Sequence, residues 1–378
     1  MNSKSTTKDI RSHNRNLIYN LLFQEPNLSQ REIAEKLTLS LPTVIQNLAD
    51  LKEQNLILET GHYQSTGGRK PRKLSLNPMA RVSLGLDITR NHISIVLLNL
   101  MGEILDSQRV RLTFEDTPDF YHYIKDMAET LLTKHDIHSQ QLLGMGISLP
   151  SIIDFDHKTI TESQVIPFLP EGTSFYEHIS SCFSFPVLLV NDASSSGFAE
   201  LYFRAETQNI FYLLLNNSVG GAIYINDSPY LGEHNRSAEI GHATLIPNGL
   251  PCYCGRRGCV NAYCSAELLS EAAQDKTLEG FFRELESHVP AVEECWEQYL
   301  DRLAMAVGNM LMLFDCNIII GGYVGNYIEP YIDEIRKRIQ CSEIYAQNPD
   351  LIAPCRLHTE SSAVGAALNY VDHFRKTL

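Results

Sequence analysis

The chain has 378 residues and a mass of 42.6 kDa, with 44% hydrophobic and 20% charged residues, a globular composition that excludes wholesale disorder, collagen and disulfide miniproteins. At about 100–200 residues per domain, the length predicts two or three domains. No apolar run approaches the ~20 residues that span a bilayer, and the polar start MNSKSTTKDIRSHNRN has no signal-peptide core. The nine cysteines therefore read as those of a reducing compartment, and the expected location is the cytoplasm.

The net charge of −14 argues against nucleic acid until it is divided along the chain. Residues 1–80 hold 11 basic against 7 acidic side chains, a net of +4, and the remainder holds 20 against 38, a net of −18. A basic N-terminal piece on an acidic body is the asymmetry of a small DNA-binding module carried by a larger domain. The pattern agrees. One helix is predicted near Arg15 to Phe23, with Leu17, Ile18, Leu21 and Leu22 on one face. Ser29-Gln30-Arg31-Glu32 is a capping box opening a second helix with Ile33, Ala34 and Leu37 inward. Ser40 caps a third, with Val44, Leu48 and Leu51 inward and Ser40, Thr43, Gln46 and Asn47 offered to base edges and phosphates. A strand at Leu56 to Thr60 and a tip at Gly67-Gly68-Arg69-Lys70-Pro71-Arg72-Lys73 complete a winged helix-turn-helix over residues 1–78, with Arg69, Lys70 and Arg72 as backbone contacts. Such a module binds a palindromic double-stranded operator as a dimer, so the body is expected to supply dimerisation.

Residues 79–378 read as α/β. Strands are predicted at 82–87, 93–98, 103–112, 142–147, 186–190, 210–215 and 221–225, and helices at 118–134, 194–202 and 298–314. Two successive groups of strands and helices predict two lobes around a cleft. The strongest chemical signal is His242 with Cys252, Cys254 and Cys259. Three thiolates and an imidazole are the four ligands that tetrahedral zinc prefers, and four protein ligands close the site, so the metal is structural. Cys182, Cys295, Cys316, Cys341 and Cys355 are scattered and read as core, and Cys264 is surplus to the cluster. Asn191-Asp192 ends a strand, where open α/β sheets present ligand-binding residues, and it is equally suited to capping the helix that follows.

The winged helix with its Gly67-Gly68-Arg69-Lys70-Pro71 tip, Gly146-Ile147-Ser148-Leu149-Pro150, Val190-Asn191-Asp192-Ala193, Glu239-Ile240-Gly241-His242 and Cys252-x-Cys254-Gly255-x-x-Gly258-Cys259 resemble the ROK family (repressor, open reading frame, kinase). The resemblance implies an actin/hexokinase-like fold of two ribonuclease-H-like lobes, the first about 79–191 plus 358–378 and the second about 192–357. It implies a structural zinc, a sugar in the cleft and a homodimer or higher homo-oligomer; the apolar face of the 298–314 helix is one candidate for the contact, although such a face is more often core. Its sugar contacts fall on Asn191, Asp192, Glu239 and His242, with Asp192 in the place of the kinases' catalytic base. His242 would serve both zinc and sugar. Ser151 and Asn261 stand at sugar-facing positions where the family has glycine and glutamate.

The kinases' Asp-x-Gly-Gly-Thr reads here Asp87-Ile88-Thr89-Arg90-Asn91, and their Gly-Thr-Gly-x-Gly-Gly reads Asn216-Asn217-Ser218-Val219-Gly220-Gly221. Phosphoryl transfer rests on positioning and charge stabilisation, so loss of both glycine cradles predicts a protein that is not an enzyme. The expected function is sugar-responsive transcriptional regulation, most simply repression of carbohydrate-utilisation genes. The alternatives are control by a protein partner through a vestigial cleft and, behind it, an ATP-dependent sugar kinase.

Overall fold

The structure, a computed structural model, describes residues 7–62, 72–154, 159–163, 175–204, 209–339 and 351–378. The N-terminal module comprises helices α1 (Thr7–Gln24), α2 (Gln30–Lys36) and α3 (Leu41–Glu53) and an antiparallel ribbon of β1 (Ile57–His62) and β2 (Arg72–Leu76). The capping box closes as the sequence predicts. Ser29 Oγ accepts from Glu32 N–H at 3.3 Å, and Glu32 Oε2 accepts from Ser29 N–H at 2.7 Å. Ile18, Leu22, Ile33, Val44, Leu48, Leu51 and Leu74 are buried together as the module's core.

Two five-stranded sheets follow, and their strand orders are the same. In the first, β3 (Val82–Ile88), β4 (His92–Asn99) and β5 (Ile104–Arg111) form an antiparallel meander. After helix α4 (Pro118–Lys134), β6 (Leu142–Leu149) lies parallel to β3. The short pair β7 (Ile152–Asp154) and β8 (Thr159–Glu162) and helix α5 (Phe175–Ser181) lead to β9 (Val187–Asn191), parallel to β6. The order is β5-β4-β3-β6-β9. Helix α6 (Asp192–Tyr202) then leads into the second sheet. There β10 (Ile210–Leu215), β11 (Val219–Ile225) and β12 (Ser228–Pro229) meander, β13 (Asn317–Gly321) runs parallel to β10 and β14 (Ile352–Pro354) parallel to β13, and the order is β12-β11-β10-β13-β14. Helices α7 (Asn261–Cys264), α8 (Ala266–Ala272), α9 (Leu278–Glu286), α10 (Pro290–Phe314), α11 (Gly322–Gly325) and α12 (Ile332–Ile339) belong to this second lobe. Phe211, Leu213, Leu303, Val307, Ile318 and Ile320 are buried in its core. Among the described residues no helix is long and apolar enough to cross a membrane.

The last helix, α13 (Ser361–Thr377), joins all three parts. It packs on the first sheet and lies against α6 so closely that a Cβ at Gly365 would sit 1.8 Å from the Ser195 carbonyl oxygen. Ser195 Oγ donates to the Ser362 carbonyl at 2.6 Å, and the hydroxyls of Ser196 and Ser362 lie 2.8 Å apart. Glu200 of α6 is fully buried, yet it accepts from Arg204 Nε at 3.1 Å and from the Arg356 and Leu357 amides at 2.7 and 2.8 Å. A buried carboxylate paired this completely is tolerated, and it fixes the segment between β14 and α13. At the far end, Ser12 Oγ and Arg15 Nε each donate to the Leu378 carbonyl oxygen at 2.8 Å, and the Arg375 guanidinium stands 5.2 Å over the Phe23 ring and 5.4 Å over Tyr202. These contacts explain why α1 starts at Thr7, well before the predicted Arg15. Its first turns are polar and carry no hydrophobic period, because their partners are Asp50 and the end of α13.

Candidate functional site

Between the lobes lies a pocket lined by Ser151 to Ile153, Asn191, Ser194, Gly221 to Tyr224, Tyr230, Asn235, Ser237 and Glu239. Its floor is set where β9 becomes α6. Asn191 caps that helix, its Oδ1 accepting from Ser194 N–H at 2.9 Å, while its Nδ2 donates to the Ser151 carbonyl and to Asp192 Oδ1, both at 3.2 Å. Asn191 is thus the cap of α6, and the same side chain helps to orient the Asp192 carboxylate. Asp192 Oδ1 also accepts from Ala193 N–H at 2.8 Å. Burial pushes Asp192 up to about 7, and the nearby Asp87 and Glu239 carboxylates push the same way. Burial alone lifts Asp87 to about 6, against the Ser148 hydroxyl and the Arg109 guanidinium. Ser151 Oγ is buried without a hydrogen-bond partner, an expensive position for a hydroxyl that no ligand engages. Glu239 is exposed at the pocket rim.

Three residues on from Glu239, His242 ends a tight 3-10 turn and meets Cys252, Cys254 and Cys259, all four ligand atoms lying within 4.8 Å of one another. His242 Nδ1 is 3.8 Å from Cys252 Sγ, and the sulfurs of Cys254 and Cys259 are also 3.8 Å apart. This set could hold one four-coordinate metal ion. Gly258 has φ +79, and a Cβ there would lie 1.7 Å from the Ile246 carbonyl oxygen, so only glycine lets the loop fold back to its third thiol. The other ring nitrogen, Nε2, lies 3.3 Å from the Tyr253 hydroxyl, a contact whose only signal in the sequence is an aromatic residue between two cysteines. Burial and then Arg256 lower the His242 pKa, which favours the neutral ring a metal requires.

Asn261 is buried, and its Oδ1 accepts from the Val219 amide at 2.7 Å, so it anchors the start of β11; like Asp192 and His242, it is not among the residues that line the pocket. The same region closes both would-be phosphate loops. In the first, Thr89 N–H donates to the His92 carbonyl at 2.9 Å and His92 N–H donates to Thr89 Oγ1 at 3.1 Å. In the second, Asn216 Oδ1 accepts from Tyr323 N–H at 2.8 Å, at the start of α11. Arg109 reaches across from β5 to stand 5.6 Å over the Tyr323 ring.

On the N-terminal module, Ser40 and Gln46 are exposed and Thr43 is partly exposed, with the Ser40 and Thr43 hydroxyls 2.7 Å apart. Asn47 does not join them. Only 2% exposed, it donates from Nδ2 to the Thr43 carbonyl at 2.8 Å, because the buried face of α3 is Val44, Asn47, Leu48 and Leu51. A helix advances about 100° per residue, so Asn47 falls beside Val44 and Leu51 and away from Gln46. Arg72 is exposed and paired with Glu59, whereas Arg69 and Lys70 lie outside the described residues.

A two-lobed domain with paired five-stranded sheets, a polar interlobe pocket and a cluster of one histidine and three cysteines, preceded by a winged helix, defines the class. The chain belongs to the ROK family, whose sequence profile matches residues 83–372, and a winged helix-turn-helix DNA-binding profile matches residues 11–57. It is 27% identical over 380 residues to the xylose repressor of Bacillus spizizenii, covering 97% of this chain and 96% of that one. It is 23% identical to the dual transcriptional regulator NagC of Escherichia coli, over 74% of this chain and 67% of that protein. Among solved structures, a ROK-family transcriptional regulator homologous to the E. coli MLC protein superposes with TM-score 0.77 at 19% identity, covering 98% of each chain. A ROK hexokinase from Thermus thermophilus superposes with TM-score 0.62 at 22% identity, over 78% of this chain and 99% of its own. The actin/hexokinase-like fold expected from the motifs is therefore present.

Proposed function

We propose that this protein is a sugar-responsive DNA-binding repressor of carbohydrate-utilisation genes, that its cleft binds an effector and carries out no phosphoryl transfer, and that it works in the cytoplasm as a homodimer on a palindromic operator. The single observation that carries this is the route of α13. The sugar-facing pair Asn191-Asp192 opens α6, α6 lies against α13 at Gly365, and the end of α13 holds α1 of the winged helix through Ser12 and Arg15. A ligand that alters the seating of α6 thus acts on an element touching the DNA-binding module. A bias of about 1–3 kcal/mol between two arrangements is enough for regulation. Several relatives that span nearly the whole chain are named xylose repressors, which supports an aldose, in the first instance an aldopentose, as effector.

The absence of turnover is supported by amides that are already paired. The N–H groups of Thr89, His92, Val219 and Tyr323 are satisfied within the protein, so they are not available to wrap phosphate oxygens. The metal proposed for the cluster of His242 and its three cysteines is zinc. Tetrahedral geometry with bonds of about 2.3 Å to sulfur and 2.0–2.1 Å to nitrogen puts neighbouring ligands about 3.5–3.8 Å apart, which the 3.8 Å spacings here fit. Zinc would supply rigidity, with no open position for a bound water. This chain's residues would do the rest, His242 binding metal through Nδ1 and presenting Nε2 to the sugar in place of the Tyr253 hydroxyl it now meets at 3.3 Å, Glu239 and Asp192 accepting from sugar hydroxyls, and Ser151 Oγ finding its missing partner there.

The test is fluorescence anisotropy of the protein on its own upstream DNA at fixed salt, across a panel of sugars, sugar phosphates and amino sugars. Specific binding abolished by one sugar is the expected result. Specific binding that no member of the panel alters would replace the sugar with a protein partner, and ATP consumption in a coupled assay would overturn the non-enzymatic reading.

A further inference from the structure

The helix that enters a major groove is usually polar where it meets the bases, and α3 is not. Leu41 is 37% exposed and Ile45 is 46% exposed, with Pro42 exposed beside them. Leu41 and Ile45 are four residues apart and share a row, Pro42 and Gln46 form the adjoining row, and the opposite face is buried in the module. A single exposed aliphatic residue needs no explanation. Three on the first turns of the helix that a winged helix presents to DNA are placed where base edges are read.

What the helix lacks narrows the partner further. Residues 41–51, LPTVIQNLADL, contain no arginine or lysine, the side chains that read guanine through O6 and N7. Their only acidic residue, Asp50, is engaged by Arg11 and is not positioned to accept from cytosine. The groups left for direct readout are the Gln46 amide, which matches adenine N6 and N7, the Ser40 and Thr43 hydroxyls, which bond to each other and discriminate little between bases, and apolar side chains, which match the thymine 5-methyl.

Resting on the DNA-binding reading above, we propose that Leu41 and Ile45 seat against thymine methyl groups in the major groove, with Gln46 on a neighbouring adenine. Each half-site under α3 is then read as a short run of A·T pairs, and discrimination is carried by methyl contact. Because burying a methyl group is worth about fourfold in affinity, the effect is measurable one atom group at a time.

The experiment selects duplexes from a random double-stranded library with the full-length protein at one salt concentration. Each thymine of the enriched sequence is then replaced with deoxyuridine, which removes only the methyl. The expected result is a drop of about fourfold at one or two positions in each half-site, with the others silent. Ile45→Ala should weaken binding to the thymine duplex by a similar factor and lose sensitivity to uracil at one of those positions. Ile45→Val, which keeps two methyl groups, should retain part of it, and both variants should melt within a few degrees of the unaltered protein, as a folded module does. Failure to enrich any sequence would overturn the DNA-binding reading itself. Enriched sequences with G·C under α3, uracil scans flat at every position, or an Ile45→Ala variant that still discriminates would overturn the methyl readout alone.

Discussion

The cleft between the lobes carries two groups of polar side chains, each drawn from both lobes, and their hydrogen bonding differs. On the sugar side, polar groups are held ready: Ser151 Oγ is buried without a partner, Asp192 is oriented by its neighbours, and Glu239 lines the rim. On the phosphate side several groups are paired with one another, Thr89 with His92, Asn261 with Val219 and Asn216 with Tyr323, although Asp87 Oδ1 and Ser148 Oγ are also buried without a partner. Leaving a buried polar group unpaired costs on the order of 1–3 kcal/mol, so a protein retains that cost where a ligand will offset it and removes it elsewhere. On the function proposed above, the contrast separates recognition from reaction.

The largest effect should come from breaking the cluster that anchors the sugar side. Cys259→Ser removes a fully buried ligand and should abolish metal binding, lower Tm on the order of 10 °C and eliminate any response of DNA binding to sugar. Metal content by elemental measurement, expected at one ion per chain in the unaltered protein, and a thermal melt check this together.

Next comes the carboxylate. Asp192→Asn should weaken effector binding by about 100-fold, since it removes a charged hydrogen-bond acceptor, and should leave DNA affinity without sugar within about twofold. The same variant has a pH signature. Burial and the Asp87 and Glu239 carboxylates raise Asp192 to about 7, so the folded state holds its proton more tightly than the unfolded chain does. That contribution is present below the unfolded value near 4 and is lost as pH rises through about 7, with Asp87, raised to about 6, adding in the same sense. The unaltered, ligand-free protein should therefore melt lower at about pH 8 than at about pH 5, and Asp192→Asn should reduce that difference. An unchanged difference would mean that Asp192 is ionised throughout.

A smaller effect tests the hydroxyl without a partner. Ser151→Gly should cost about two- to tenfold in effector affinity. It should also alter the ranking of epimers in a sugar panel, measured by calorimetry. A variant that binds every sugar as before would show that Ser151 Oγ takes a water and reads nothing.

Much of this was legible in the residues. Ser29 and Glu32 announce their capping box, the alternating lobes follow from apolar runs, and the spacing of His242 and the three cysteines carries its own geometry. The exceptions share a cause. Asn47 looked like a DNA contact because asparagine is polar, and it turned inward because its angular position on α3 is that of Val44 and Leu51. Asn261 stands where the family resemblance implies a sugar-facing glutamate, and the partner its Oδ1 meets is Val219, 42 residues away. Arg109 over Tyr323 and Tyr253 against His242 are likewise pairings across distance, and no local pattern encodes which distant group a polar side chain will meet.

The smallest expected effect decides whether the phosphate side is closed or only masked. Asn216→Gly restores a glycine of the kinase-type loop and frees the Tyr323 amide. Losing that one hydrogen bond should cost about 1 kcal/mol, a fall of roughly 2–4 °C in Tm. Effector affinity should stay within about twofold, because Asn216 is not part of the pocket lining. ATP should still give no thermal shift and no turnover, since the Thr89–His92 turn keeps its own amides paired and Arg109 still occupies the space over Tyr323. If this one substitution conferred ATP binding, the two sides would differ by a single side chain. The closure would then be a removable plug, and the division between a retained sugar site and a surrendered phosphate site would have to be redrawn as a switch between them.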